Sequence, residues 1–194
     1  MSYRLYQTEC LVLGGVDSGE ADKFIYLFTK EFGLLGAKAK SVRRMNSKLR
    51  YSLQSHSLSD VSLVRGRDVW RLVGARGKSS LRSVLSEESF QAVSRILHLV
   101  KKLLPGEEKI PGLYETVLSP FYFLAENDLA PGEVGSLECL AVLRILKKLG
   151  YVGDMELDGL ASGGELNRDV LAEVGRDKKK ILSRINMAIK ASDL

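Results

Sequence analysis

No apolar run among the 194 residues approaches the ~18–20 that a membrane span needs. The first residues, Met1-Ser2-Tyr3-Arg4-Leu5-Tyr6-Gln7-Thr8-Glu9, lack the apolar stretch of a secretory signal. Membrane and exported classes are therefore set aside, and a cytoplasmic protein is expected. Cysteine is scarce: Cys10 and Cys139 stand far apart, each among Leu and Val. Two thiols cannot build a disulfide framework, and a structural zinc site needs four Cys or His ligands. With His56 and His98 they show no metal spacing, so two buried thiols in a reducing compartment are expected, with no metal and no cofactor.

Sequence signals for catalysis are equally sparse. There is no GxxxxGK[ST] loop and no GxGxxG after a strand. No Ser/His/Asp or Cys/His set has sequence support. His98 lies beside the apolar face of an expected helix and reads as a packed or surface residue. His56 sits among basic residues and is compatible with contact to a base or phosphate, or with a plain surface position. Glu20 and Asp22 are two carboxylates at i, i+2, which reads as a turn or capping role ahead of metal binding. The Lys-x-Asp-Gly setting of nucleotidyltransferases is absent. The reading is a non-enzyme.

Acidic residues are missing altogether between Glu31 and Asp60, a gap that holds Lys38, Lys40, Arg43, Arg44, Lys48 and Arg50. The wider distribution follows the same lean. Residues 1–83 carry 15 Lys and Arg against 7 Asp and Glu, a net of +8, while 84–194 carry 14 against 17, a net of −3. A solvated basic loop is the plain alternative, but a long acid-free gap between structured flanks favours a polyanionic partner for the first half.

Periodicity divides the chain at Ser79–Ser86. Before it, Thr8–Val16 and Lys23–Thr29 are rich in β-branched or aromatic residues and read as strands, though length alone leaves a short helix open at the second. Ala37 and Ala39 alternate with Lys38 and Lys40, which places the lysines on one strand face and the alanines on the other. Ser41–Leu49 reads as a loop. Val61–Val64 and Val69–Val73 flank a hairpin tip that carries Arg65 and Arg67. About five strands in ~80 residues fit a small closed barrel of the OB type. Phe24, Tyr26 and Phe28 share a strand face and read as core. Beyond the boundary the chain is helical. Ser86 is an N-cap with Glu87 and Glu88 behind it. Apolar residues then recur at three- and four-residue spacing from Phe90 to Leu104, up to Pro105-Gly106. A second helix is expected from Pro111 to Asn127, kinked or split by Pro120. A third spans Gly132–Leu149 and ends at Gly150. Asp154–Gly164 reads as a loop, Arg168–Val174 as a short helix, and Asp177–Ser192 as the last helix, with Ile181, Leu182, Ile185, Ala188 and Ile189 on one face. The fold class is α+β: an OB-fold over residues 1–80 and a helical domain over 84–194.

Several runs resemble one family. Thr8-Glu9-Cys10-Leu11-Val12-Leu13, Gly19-Glu20-Ala21-Asp22, Phe32-Gly33, Ala37-Lys38-Ala39-Lys40 with Arg43-Arg44, and Leu53-Gln54 are similar to the amino-terminal domain of the RecO recombination mediators. Leu149-Gly150-Tyr151 resembles the end of that family's central helix. The likeness covers the first ~80 residues well and the helical half by layout and a few positions. It implies an OB-fold followed by a helical domain, binding of single- and double-stranded DNA, and annealing of complementary strands in the bacterial nucleoid. It also implies action with RecR and the single-strand binding protein to load RecA, which is an indirect partner. Many relatives carry a four-cysteine zinc finger after the Leu-Gly-Tyr stretch. Val152–Gly164 here has no cysteine, so no zinc is expected. The chain is shorter than the typical member, with its C-terminal half trimmed, and Ser41 stands where relatives often have glycine.

The residues expected to meet phosphates are Lys38, Lys40, Arg43, Arg44, Lys48 and Arg50, with Arg65 and Arg67 at the hairpin tip. Neutralised phosphates release counterions, so affinity falls with salt; six contacts on single strands give a log–log slope of about −4. Tyr51 and Trp70 are the candidates for base stacking, Trp70 reading as core ahead of stacking because its strand alternates strongly. Nothing reads base edges, so no sequence specificity is expected. The single-strand binding protein ends in an acidic, apolar tail, whose dock would be a basic-rimmed apolar groove. Lys101, Lys102, Arg144, Lys147 and Lys148 are candidates for that rim, or ordinary last-turn cations favoured by the helix dipole. Two other readings remain open: a passive OB-type single-strand or RNA binder, and an adaptor whose basic face meets an acidic protein.

Overall fold

The computed structural model describes residues 4–153 and 158–191. The chain divides into two compact units, Met1–Val84 with Leu104–Lys109, and Leu85–Leu103 with Ile110–Leu194. The first is built on five strands: β1 (Leu5–Ser18), β2 (Asp22–Thr29), β3 (Gly33–Ala39), β4 (Ser57–Arg65) and β5 (Trp70–Ser80). They close into a barrel in the order β1-β2-β3-β5-β4. All pairings are antiparallel except β3 with β5, where Ala37 faces Trp70 and Ala39 faces Leu72. Closure leaves no free edge between first and last strands, since β1 also pairs with β4.

Strand alternation fills the barrel. Cys10, Val12, Ile25, Leu27, Ala37, Ala39, Val61, Leu63, Trp70 and Leu72 point inward and are buried together. The Ala37/Lys38/Ala39 alternation holds: both alanines are fully buried and Lys38 faces out. The aromatic run of β2 is a correction. Ile25 and Leu27 are the core residues, so Phe24 and Tyr26 lie half-exposed on the outer wall, and of the three aromatics only Phe28 is buried. The strand is apolar on both faces, and period alone does not say which face is inside. Trp70 is settled as core. It is 3% exposed and meets the rings of Tyr6 at 5.3 Å and Phe32 at 5.5 Å.

The second unit is helical: α3 (Glu87–Leu103), α4 (Leu113–Glu126), α5 (Pro131–Lys148), α6 (Asp158–Ala161), α7 (Arg168–Arg176) and α8 (Lys178–Ala191). Two short helices belong to the barrel unit, α1 (Leu49–Ser52) and α2 (Leu81–Val84), and α1 begins at Leu49, where the expected loop ends. Ser86 caps α3, its Oγ accepting the Ser89 N–H. Pro120 does not split α4, which is one helix across it. The proline removes the N–H that would bond the Thr116 carbonyl, and the Ser119 hydroxyl donates to that oxygen instead at 3.4 Å. Helix α5 is buried on most sides and ends as Leu149-Gly150-Tyr151 suggests. Gly150 has φ +79°, its N–H bonds Lys147 O at 3.0 Å, and the Tyr151 N–H reaches back to Leu146 O at 2.9 Å. Part of the expected Asp154–Gly164 loop is the short helix α6, while residues 154–157 lie outside the described residues. In α8, Ile181, Ile185 and Ala188 are buried, but Leu182 is exposed.

Candidate nucleic-acid interface

The segment between β3 and β4 carries most of the nominated cations, and its path is fixed by the turn between β1 and β2. Asp22 Oδ1 accepts the backbone N–H of Ser41 at 2.8 Å, which holds Ser41 at φ +55°. Arg43 donates to the carbonyls of Gly19 at 3.2 Å and Glu20 at 3.3 Å, and pairs with Asp17 at 3.3 Å. The Gly19-Glu20-Ala21-Asp22 run is thus a clasp that fastens one loop to the other. Asp22 serves in a turn, as its spacing suggested, and no metal-binding cluster occurs among the described residues. The Ser41 N–H, joined by Lys38 and Lys40, holds the Asp22 carboxyl below the usual carboxylate range.

The clasp sorts the cations into two groups. Lys38 lies 3.5 Å from Asp22, and Arg43 is engaged as above. Arg65 stands 3.6 Å from Glu107 with its guanidinium 5.3 Å from the Trp70 ring centroid. These three are held by the protein's own groups. Lys40, Arg44, Lys48, Arg50 and Arg67 are exposed and form no ion pair among the described residues. Tyr51, on α1 in the same loop, is 74% exposed. The loop follows Ala39, whereas the Arg65–Trp70 tip begins level with Ala37 on the parallel neighbour. The cations of the loop and those of the tip therefore leave from neighbouring strands, in opposite directions along them, within two residues of each other in register.

Sequence reasoning passed over Arg71. It lies in register with Lys38, which in turn faces Phe24, so an aromatic ring and two cations share one row on the outer wall. The signal was present: Arg71 sits between inward-facing Trp70 and Leu72. On the β1–β4–β5 side the charges cancel instead. Glu9 faces Asp60 across the ladder, and Lys78 bonds to both carboxylates while Arg76 meets Asp60 at 3.2 Å. His56 has φ +62° and is half-buried, and burial lowers its pKa. Burial raises the Cys10 and Cys139 thiols, which are inert core groups.

Of the five cations named for a partner rim in the helical unit, Arg144 and Lys148 line one shared cavity of about 230 Å³, together with Thr116, Ser119 and Ala161. Arg144 is buried, donating to Leu160 O at 3.0 Å and Gly164 O at 3.2 Å, and Lys147 bonds the Ser162 hydroxyl at 3.0 Å. They tie the segment after α5 back onto that helix. Lys101 is half-buried, and Lys102 and Lys148 are exposed. A mainly apolar cavity of about 350 Å³ lies elsewhere in the unit, lined by Leu99, Val142, Leu182, Ile185 and Ile189 together with Lys178 and the Arg95–Glu138 pair. None of the five nominated cations lines it.

Residues 1–81 match the family described as recombination protein O, N-terminal. Over a longer stretch, the chain is 32% identical over 155 residues to the DNA repair protein RecO of Heliobacterium modesticaldum, covering 79% of this chain and 55% of the relative. It is 29% identical over 156 residues to that of Clostridium novyi, covering 78% and 59%. With the RecO of Dehalococcoides mccartyi it shares 30% over 115 residues, covering 59% and 46%. The chain spans about half the length of these curated relatives. The stretch that matches the recombination protein O model is the one that folds into the closed five-stranded barrel, and it carries the clasp at Gly19–Asp22.

Proposed function

We propose that this chain is a DNA repair and recombination protein of the cytoplasm that works by binding, without catalysis. It binds single- and double-stranded DNA through the barrel's basic loop and anneals complementary strands. Acting with RecR, it helps load RecA onto DNA coated by the single-strand binding protein. One observation carries this reading: the acid-free loop between β3 and β4 presents Lys40, Arg44, Lys48 and Arg50 exposed and without ion pairs among the described residues, while a clasp of Asp22 and Arg43 fixes the loop's course. Fixed, unpaired cations meet phosphates without first breaking internal bonds, and phosphate contacts carry no sequence information. For the acidic, apolar tail of the single-strand binding protein, the mainly apolar cavity lined by Leu99, Val142 and Ile189 is one dock, where Lys178 stands beside the Arg95–Glu138 pair. The test is strand annealing with and without that coating protein, across a salt series. A mediator speeds pairing of complementary strands; a passive coater slows it, and an adaptor for acidic proteins leaves it unchanged.

A further inference from the structure

The 230 Å³ cavity of the helical unit is lined by Arg144 and Lys148 of α5, by Ser162 and Gly164, and by Glu115, Thr116 and Ser119 of α4. Arg144 is 7% exposed. A guanidinium carries five N–H donors and no acceptor. Arg144 spends two of them, on the carbonyls of Leu160 and Gly164, and its Nη2 donates to no group among the described residues. No carboxylate among the described residues pairs with it, and its pKa is lowered by burial alone. Gly164, at φ +130°, has no side chain to cover the free nitrogen; a Cβ there would come 3.9 Å from Nη2. A buried cation with spare donors and no counter-charge is costly until an anion completes it. Lys148 adds a second cation, which forms no ion pair among the described residues. Its Nζ lies at the start of α4, 3.3 Å from where a Cβ of Gly112 would stand. The Ser162 Oγ accepts from Lys147 Nζ at 3.0 Å, which leaves its own proton to donate. The hydroxyls of α4 are disposed the other way. Thr116 donates to the Gly112 carbonyl at 2.8 Å and Ser119 to that of Thr116 at 3.4 Å, so both turn lone pairs to a ligand, as does the Glu115 carboxylate.

We propose that this cavity binds a small phosphate monoester that also carries hydroxyl groups, a sugar phosphate. The phosphate meets Arg144 Nη2, Lys148 Nζ and the Ser162 hydroxyl, and the sugar hydroxyls donate to Thr116, Ser119 and Glu115. A phosphate monoester offers three terminal oxygens to these three donors, where a carboxylate offers two. The cavity is smaller than the ~300 Å³ at which drug-sized sites begin, which suits a sugar phosphate ahead of a whole nucleotide. Such a group arrives either as a free sugar phosphate or as the 5′-phosphorylated end of a DNA strand. The site lies wholly within the helical unit and does not depend on the barrel's basic loop.

The experiment is calorimetric titration of the full chain with ribose 5-phosphate, inorganic phosphate and ribose at fixed ionic strength. Ribose 5-phosphate is expected to bind at one site per chain, inorganic phosphate more weakly, and ribose not at all. Lys148→Gln removes one charged donor and is expected to weaken ribose 5-phosphate about 10-fold or more; Ser162→Ala removes a neutral donor and costs several-fold. Both variants keep the two carbonyl bonds of Arg144, so their urea midpoints should stay close to native. A native protein that does not bind ribose 5-phosphate at millimolar concentration, or a Lys148→Gln variant that binds it as the native protein does, overturns the site and leaves Arg144 as a staple alone. Inorganic phosphate that binds as tightly as ribose 5-phosphate overturns the assignment to a sugar phosphate. Competition identifies the source. A 5′-phosphorylated oligonucleotide that displaces ribose 5-phosphate, where its unphosphorylated counterpart does not, supports a strand end. Displacement by neither supports a free sugar phosphate, and displacement by both overturns recognition of a monoester.

Discussion

Asp22 shows how one side chain can set both stability and binding. Its pKa is lowered first by the Ser41 N–H and then by Lys38 and Lys40. A carboxyl depressed in the folded state stabilises that state above its unfolded pKa of about 3.9, and the contribution is lost as pH falls through the lower folded value. Asp22→Asn keeps an oxygen to accept from Ser41 and removes the charge. The expected outcome is a flatter acid limb in thermal unfolding below about pH 4. At neutral pH it should bind DNA more tightly, because Lys38 is released from its 3.5 Å pair. A weaker grip would place Asp22 in loop positioning alone. Arg144 is the contrasting residue. Arg144→Leu leaves the carbonyls of Leu160 and Gly164 without their donor and should lower urea-unfolding stability by about 1–3 kcal/mol, with barrel-borne DNA binding intact. The sequence marked both Arg144 and Lys38 only as cations. Partners such as a carbonyl sixteen residues on, or a carboxylate across the ladder, are tertiary facts that no local spacing encodes.

Elements were more legible than their partners. Strand β2, the central helix α5 and the N-cap at Ser86 followed from β-branched and aromatic content, apolar spacing and capping chemistry. What escaped was strand length: β4 and β5 run to Ser57 and Ser80, well beyond their apolar cores, because the ladder between them continues through polar residues such as Ser59, Arg76 and Ser79. Hydrogen bonding to a neighbour, not hydrophobicity, holds those ends. Pro120 misled for a similar reason, since the Ser119 hydroxyl repairs locally what the ring removes. The end of α5 gives an element-scale prediction. Gly150 is left-handed and a Cβ there would meet nothing within 4 Å, so Gly150→Ala carries a purely conformational cost of roughly 1–2 kcal/mol, read as a lower urea midpoint. Gly150→Asn should recover part of it, because Asn tolerates that conformation.

At the scale of the whole molecule, charge asymmetry was readable in the sequence and its distribution around the barrel was not. The +8 of residues 1–83 is spent unevenly: Arg76 and Lys78 are neutralised by Glu9 and Asp60, and Lys38, Arg43 and Arg65 face their own carboxylates. The cations left for a polyanion are Lys40, Arg44, Lys48, Arg50 and Arg67, so the log–log salt slope for single strands should sit near −3.5, at roughly −0.7 per phosphate, instead of the −4 of six contacts. Arg43 must be kept out of a charge-reversal test, since its loss opens the clasp and confuses folding with binding. The informative variant is Arg44→Glu with Lys48→Glu and Arg50→Glu, all exposed. It should retain the native melting transition, weaken single- and double-stranded DNA alike, and flatten the single-strand salt slope by about 2. Fluorescence anisotropy over a salt series measures both quantities. Native-like affinity and slope in this variant would move the DNA contact off the loop.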